Sequence, residues 1–260
     1  MSMIDVKQLS YKIKDQAILK EISFQVAEGE FFGIIGPNGS GKSTLLRQLS
    51  GVDPVRSGEV RLGGKPVGSY SRKELAKWLA VLQQDALPPV GFTVREVVEM
   101  GRFPFQNWLG EEKEDADALI TAILQKLELT ALAERAIERL SGGERQRAAL
   151  AKVMAQQPGL LLLDEPTTFL DIGYQIQMMD YIANWQKETG LTTVAVLHDL
   201  NLAAQYCSRL LVIHDGRAVA VGTPEQILTS ELIAQVYGTT PIILKHPVSE
   251  VPQVLLQPGQ

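Results

Sequence analysis

Apolar positions change rhythm three times along the chain. Near the N-terminus they fall in short, partly alternating runs, first Val6, Leu9 and Tyr11, then Ile22, Phe24 and Val26. That spacing predicts antiparallel strands with one buried face. "GEFFGIIG" (29–36) is a continuous apolar run entering a glycine-rich turn, as a buried strand would. "STLLRQLSG" (43–51) then predicts a helix ended by Gly51. "GEVRLGGKPV" (58–67) predicts a strand and turn, and "WLAVLQQ" (78–84) another strand.

The rhythm breaks at "DALPPVG" (85–91), where prolines and glycine interrupt any regular element. From Thr93 to Gln157 the pattern is mostly helical. Ala118, Leu119, Ala122, Ile123 and Leu127 recur at helical spacing within 111–129. The acidic run 111–115 reads as a solvated helix start favoured by the helix dipole. After Pro158 the strands return. "LLLLDEP" (160–166) is uniformly apolar before its carboxylates, which fits a parallel strand buried on both faces. A helix over 172–189, a strand over 192–197, a helix over 200–206, a strand over 209–214 and an Asp-Gly hairpin at 215–216 follow.

Strands alternating with helices predict an α/β fold with a parallel sheet. Residues 1–88 and 158–238 then form the α/β core with an antiparallel β portion. Residues 89–157 form an inserted helical portion, and the proline-bearing tail 239–260 is left without an assigned element.

The chain has 260 residues, 45% of them hydrophobic, enough to bury a sizeable core. A formal net charge of -5 argues against a nucleic-acid binder held by phosphate contacts, so no nucleic-acid partner is expected. The single cysteine, Cys207, permits no internal disulfide and fits a reducing compartment. The N-terminus has no basic segment followed by an apolar run, so no signal peptide is expected. No stretch approaches the roughly 18 apolar residues of a membrane span, so any membrane role requires a partner.

Three motifs carry chemistry. "GPNGSGKST", Gly36, Pro37, Asn38, Gly39, Ser40, Gly41, Lys42, Ser43 and Thr44, matches the phosphate-loop pattern G-x-x-x-x-G-K-[ST] between a predicted strand and a predicted helix. Its amides can surround phosphates, Lys42 can reach the outer phosphates, and the Ser43 hydroxyl suits Mg²⁺. At the end of "LLLLDEP", Asp164 is placed to hold Mg²⁺. Glu165 is the natural general base for an attacking water; alone it would also read as a turn cap before Pro166. "LSGGERQR" (140–147) is a second anion loop. The amides of Ser141, Gly142 and Gly143 and the Ser141 hydroxyl stand at a helix start, although an isolated Ser-Gly-Gly is usually only that.

"GPNGSGKST", "LSGGERQR" and "LLLLDEPTTFLD", in this order and with "VLHDLN" downstream, resemble the nucleotide-binding subunits of ABC transporters over nearly the whole chain. The resemblance implies a P-loop NTPase cassette, with a RecA-like parallel-sheet core, an antiparallel β subdomain and a helical signature subdomain. It implies ATP hydrolysis with Mg²⁺, and a head-to-tail dimer in which each ATP lies between the phosphate loop of one copy and the signature loop of the other. Carried over by matching positions, Tyr11 would stack on adenine and Gln84 would contact Mg²⁺ and water. Gln83, which precedes it, is the alternative. His198 would touch the γ-phosphate, Asp171 would reach across the dimer, and Glu144 belongs to the signature site. Taken singly, Tyr11 is also an ordinary strand aromatic and His198 an ordinary cap. Phe169 is bulky where the family commonly has a small residue; His214, His246 and Cys207 match nothing and read as structural.

The segments 92–110, 197–228 and 236–247 resemble more narrowly the ATPases of importers for ferric siderophores, heme and cobalamin, the ferric-hydroxamate type above all. That implies two transmembrane permease subunits, an extracytoplasmic substrate-binding protein and a peripheral place on the cytoplasmic membrane face. "DALPPVGF" (85–92) would carry movement to the permease. The competing readings are a subunit for export or another cargo, and a soluble ABC ATPase.

Overall fold

The computed structural model describes residues 2–83, 87, 91–107, 112 and 116–257. In chain order the elements are β1 (Ser2–Ile13), β2 (Gln16–Ala27), β3 (Phe31–Ile35), α1 (Lys42–Leu49), β4 (Ser57–Leu62) and β5 (Lys65–Pro66). Then come α2 (Arg72–Leu75), β6 (Leu79–Leu82), α3 (Val94–Glu99), α4 (Asp117–Lys126), α5 (Gly142–Ala155), β7 (Leu160–Asp164) and α6 (Ile172–Thr189). The chain continues with β8 (Thr192–Val196), α7 (Leu200–Tyr206), β9 (Arg209–His214), β10 (Arg217–Gly222), α8 (Pro224–Ile227), α9 (Ser230–Tyr237), β11 (Ile242–Lys245) and β12 (Pro252–Leu255).

Two sheets organise the molecule. One has the order β10-β9-β3-β8-β7-β6, in which β6, β7, β8, β3 and β9 run parallel and β10 closes one edge antiparallel. The other is antiparallel, in the order β2-β1-β4-β5. The apolar run of β7 follows from its position. Leu161 and Leu163 join the core beneath the helices, while Leu160 and Leu162 join the core shared with the antiparallel sheet. Both faces are dry, so alternation has no role in this strand. β3 divides likewise, with Phe31 and Ile35 on one side and Phe32 and Ile34 on the other.

The Asp-Gly turn forms as expected, with φ of 48° at Asp215 and 75° at Gly216, joining β9 to β10. Between 93 and 157 the chain is less continuously helical than its periodicity predicts. α3, α4 and α5 are separated by 3-10 turns at Met100–Phe105, Thr130–Leu132 and Ile137–Arg139. Of the predicted helix over 111–129, α4 covers Asp117–Lys126, and Glu128 adopts a positive φ of 56° just past its end; most of the acidic run 111–115 lies outside the described residues. The tail forms an antiparallel hairpin, β11 with β12.

Candidate functional site

The parallel strands deliver the chemistry-bearing loops to their C-terminal ends. β3 enters the phosphate loop, β7 ends at Asp164, and β8 is followed by His198. Gly36 shows why the loop needs its first glycine. Its φ is 149°, and a Cβ there would lie 2.0 Å from the Ile213 carbonyl oxygen of β9. The loop ends in α1, whose first residue is Lys42.

Lys42 is buried, and its Nζ donates to the carbonyls of Gly36 at 2.8 Å and Pro37 at 2.9 Å. Burial holds this ammonium below its ordinary value, and the carboxylates of Glu165 and Asp164 oppose that shift. Ser43 Oγ donates to Asp164 Oδ1 at 3.0 Å. Burial raises the Asp164 carboxyl above the usual range, the Ser43 hydrogen bond lowers it, and the neighbouring Glu165 raises it again.

Glu165 sits in the left-handed region at φ 52°, an unusual conformation for a non-glycine residue. Its Oε1 lies 2.5 Å from His198 Nε2, and its Oε2 accepts from Thr168 Oγ1 at 3.3 Å. These groups face a cavity of about 670 Å³ lined by Asn38, Gly39, Gly41, Lys42, Ser43, Thr44, Glu165, Thr168, His198 and Ile18. Thr168 and Ile18 escaped the sequence reading. Thr168 lies just past a motif read for its carboxylates, and Ile18 is one apolar residue in a strand, with no signal of its own. Tyr11 is not in the described lining; it lies in β1 opposite Leu19, one strand over from Ile18, half-buried against the core. Gln84 and most of 85–90 lie outside the described residues, whereas Gln83 is exposed just after β6.

The signature residues lie elsewhere. Ser141 is the N-cap of α5 and closes a capping box with Glu144. The Ser141 amide and hydroxyl donate to Glu144 Oε2 at 2.7 and 2.8 Å, and these bonds hold that carboxyl below its usual range. Gly142 is exposed, with open space where a Cβ would stand. Gly143 is packed on Tyr174 of α6; a Cβ would come within 2.7 Å of that ring. Gln146 Nε2 donates to the Pro166 carbonyl at 3.0 Å, tying α5 to the end of β7. Asp171 caps α6, accepting from the Tyr174 amide at 3.0 Å. Beside it, Phe169 and Ile172 are 90% and 81% exposed. None of Ser141, Gly142, Gly143, Glu144 and Asp171 lines the cavity.

Cys207, His214 and His246 are not among the residues that line the cavity. Cys207 is buried, which pushes its thiol well up, and His246 Nδ1 accepts from the amides of Val248 and Ser249 at 3.2 and 3.1 Å. His214 ends β9 beside Asp215. No helix among the described residues is long and apolar enough to cross a membrane.

A glycine-rich loop at a helix start, a buried lysine, and a serine–aspartate pair beside a glutamate–histidine pair are the parts expected of a nucleoside-triphosphate site. The ABC transporter family matches residues 19–168, and the chain belongs to that family. It is 40% identical over 249 residues to the ferric enterobactin transport ATP-binding protein FepC of Escherichia coli (strain K12), covering 96% of this chain and 92% of that protein. It is 36% identical over 255 residues to the iron(3+)-hydroxamate import ATP-binding protein FhuC of Bacillus subtilis (strain 168), covering 98% and 95%. Over 239 residues it is 42% identical to the hemin import ATP-binding protein HmuV of Rhodococcus jostii (strain RHA1), covering 92% and 80%.

Among solved structures, an inward-facing ABC transporter shares the fold at TM-score 0.85, with 24% identity over 98% of this chain and 97% of that one. A dimeric post-hydrolysis ATP-binding cassette bound to ADP and Pi matches at TM-score 0.73, with 29% identity over 85% and 98%. The chain is an ABC ATPase, an ATP-binding and ATP-hydrolysing importer subunit.

Proposed function

We propose that this subunit energises uptake of an iron-siderophore complex through a membrane permease, working as a head-to-tail pair bound peripherally at the cytoplasmic membrane face. One observation carries the paired arrangement. The cavity is walled by the phosphate loop, Glu165, Thr168 and His198, while the signature residues stand outside it with Gly142 facing open space. A second copy would bring Ser141, Gly142 and Gly143 to the exposed side of the nucleotide, where amides at the start of α5 favour an anion. Asp171, with exposed Phe169 and Ile172 beside it, would meet the partner copy. The dimeric cassette bound to ADP and Pi supports this reading.

In the filled site Lys42 would leave the carbonyls of Gly36 and Pro37 for the outer phosphates, and the loop amides would cradle them. Glu165 would take the proton of the attacking water, and His198, 2.5 Å away, would orient that carboxylate and meet the γ-phosphate. Tyr11 would stack on the adenine at the Ile18 end. The donors fit Mg²⁺: a hydroxyl and a carboxylate 3.0 Å apart are hard oxygen ligands, and the charge of a cation would offset the desolvation that raises Asp164. When bound, Mg²⁺ would neutralise phosphate charge, held by Ser43, Asp164 and the glutamine at 84. ATP has to favour the closed pair over the open one to drive anything, and the shared site provides that difference.

We assign the helical portion 89–157 to signature presentation and the segment after Gln84 to permease contact. The cargo class is supported by the names of the enterobactin and hydroxamate relatives. The test is co-purification with the permease, followed by uptake of ferric siderophore, hemin and cobalamin in parallel. Siderophore uptake that needs this ATPase supports the reading; uptake of hemin or cobalamin alone overturns the cargo.

A further inference from the structure

The C-terminal tail lies outside the family-matched stretch, which ends at residue 168. Its hairpin is nevertheless fastened to the loop that carries His198. Asn201, in the first turn of α7, grips β12 from both sides of one residue. The Val254 amide donates to Asn201 Oδ1 at 2.7 Å, and Asn201 Nδ2 donates to the Val254 carbonyl at 3.4 Å. The Val254 side chain is buried in the core beneath the helices, so the strand cannot slide without opening that core. The hairpin is itself pinned, because His246 Nδ1 holds the amides of Val248 and Ser249 in its turn.

At the other end of the short connection, Asp199 Oδ1 accepts from the amides of Asn201 and Leu202 at 2.7 and 3.0 Å. His198 therefore sits one residue before a cap and three before a side-chain clamp. Its side chain is 40% exposed and lies 2.5 Å from Glu165 Oε1. The same C-terminal region also reaches the phosphate loop. Tyr237, at the end of α9, is half-buried and lies beside the Gly36 backbone. The Ser230 hydroxyl at the start of α9 donates to the Pro241 carbonyl at 3.0 Å, joining α9 to the hairpin. Two loops of the nucleotide site are thus braced from behind by one segment.

We propose that the C-terminal hairpin is a strap that sets the position of His198, and that Asn201 is the positioning residue through which it acts. Asn201 is not among the residues that line the cavity; through Val254 it fixes the turn that aims the imidazole at Glu165. Loss of the clamp frees that turn, and a small misplacement of a group beside the reacting phosphate lowers turnover more than ATP binding.

The inference rests on the role given to His198, and the experiment separates the two. ATP turnover of the purified full-length chain is measured for wild type, Asn201→Ala, Asn201→Asp, His198→Ala and the Asn201→Ala/His198→Ala double variant, with thermal unfolding followed in parallel. Asn201→Ala is expected to lower kcat about tenfold with KM for ATP unchanged. Asn201→Asp keeps an acceptor for the Val254 amide and restores most of the loss. In the double variant Asn201→Ala adds nothing to His198→Ala, because residues acting as one unit are non-additive. Normal turnover in Asn201→Ala beside an impaired His198→Ala overturns the strap. So does an equal Asn201→Ala loss in both backgrounds, or a loss that appears only as a lower unfolding temperature. Normal turnover in His198→Ala removes the role of His198 and the strap with it.

Discussion

The phosphate loop and the signature loop both place serine and glycines at a helix start, yet they are built for opposite relations to their surroundings. The phosphate loop is closed inward. Gly36 is pressed against the Ile213 carbonyl, Lys42 is buried on the carbonyls of its own loop, and Ser43 is bonded to Asp164. The signature loop is closed only behind. Gly143 is packed on Tyr174 and Ser141 on Glu144, but Gly142 faces open space. One is closed within the subunit; the other leaves an open face, where we propose that a second copy docks.

The comparison can be broken at several points. The largest effect is expected where the reaction is assigned wholly to the phosphate-loop side. Glu165→Gln should lower turnover about 10²–10⁴-fold, some 3–5 kcal/mol of activation free energy, while nucleotide binding survives. A nucleotide-trapped dimer on gel filtration supports the assignment, and unimpaired turnover removes Glu165 as the base.

Mixed dimers come next. A Lys42→Ala subunit paired with a Ser141→Arg subunit combines both defects in one site and leaves the other site wild type. That heterodimer should form with ATP, whereas neither homodimer should; scattering or cross-linking reads the result. Failure of the heterodimer would show that the signature loop does not serve the partner's nucleotide.

Glycine substitutions give a smaller and sharper contrast. Gly36→Ala should cost roughly 3 kcal/mol or more, because its Cβ would stand 2.0 Å from a backbone oxygen at a positive φ. Gly142→Ala has room and lies at a helix start, so stability should be unchanged or raised by about 0.4–1 kcal/mol. Urea unfolding measures both; equal losses would erase the distinction between the loops.

The smallest effect concerns the signature cap. The bonds from Ser141 hold the Glu144 carboxyl below its ordinary 4.5. A depressed pKa contributes stability above the unfolded value and loses it as pH falls through the folded one. The melting difference between wild type and Glu144→Gln should therefore be flat from pH 6 to 8 and shrink below about 4.5. Glu144 is only partly buried, at the surface, so the whole difference should be small. A difference that grows in acid would contradict the capping role.

Much of the site was legible because its pieces are contiguous. The stretch from Gly36 to Thr44 carries its own spacing, and strand β3 before it and helix α1 after it confirm the context. The four leucines of β7 announced burial on both faces. The helical portion was legible only coarsely, because 3-10 turns interrupt a periodicity that continues across them. Thr168 and Ile18 line the cavity with nothing in their local sequence to mark them. The tail, with its prolines, takes no assigned element from its sequence, yet it forms a hairpin that Asn201 and the core hold in place.

By itself the sequence determined the α/β alternation, the phosphate loop, the carboxylates after β7 and the serine-capped start of α5. Each depends on residues a few positions apart, where backbone periodicity and capping act. Only the tertiary structure decided that Ser43 meets Asp164, that His198 stands against Glu165, that Gly36 leaves no room beside Ile213 and that Asn201 grips Val254. Those pairs lie far apart along the chain, and no local rule couples them. They meet because the parallel strands set their C-terminal ends side by side, and because burying both faces of that sheet leaves the connecting loops no other place to lie.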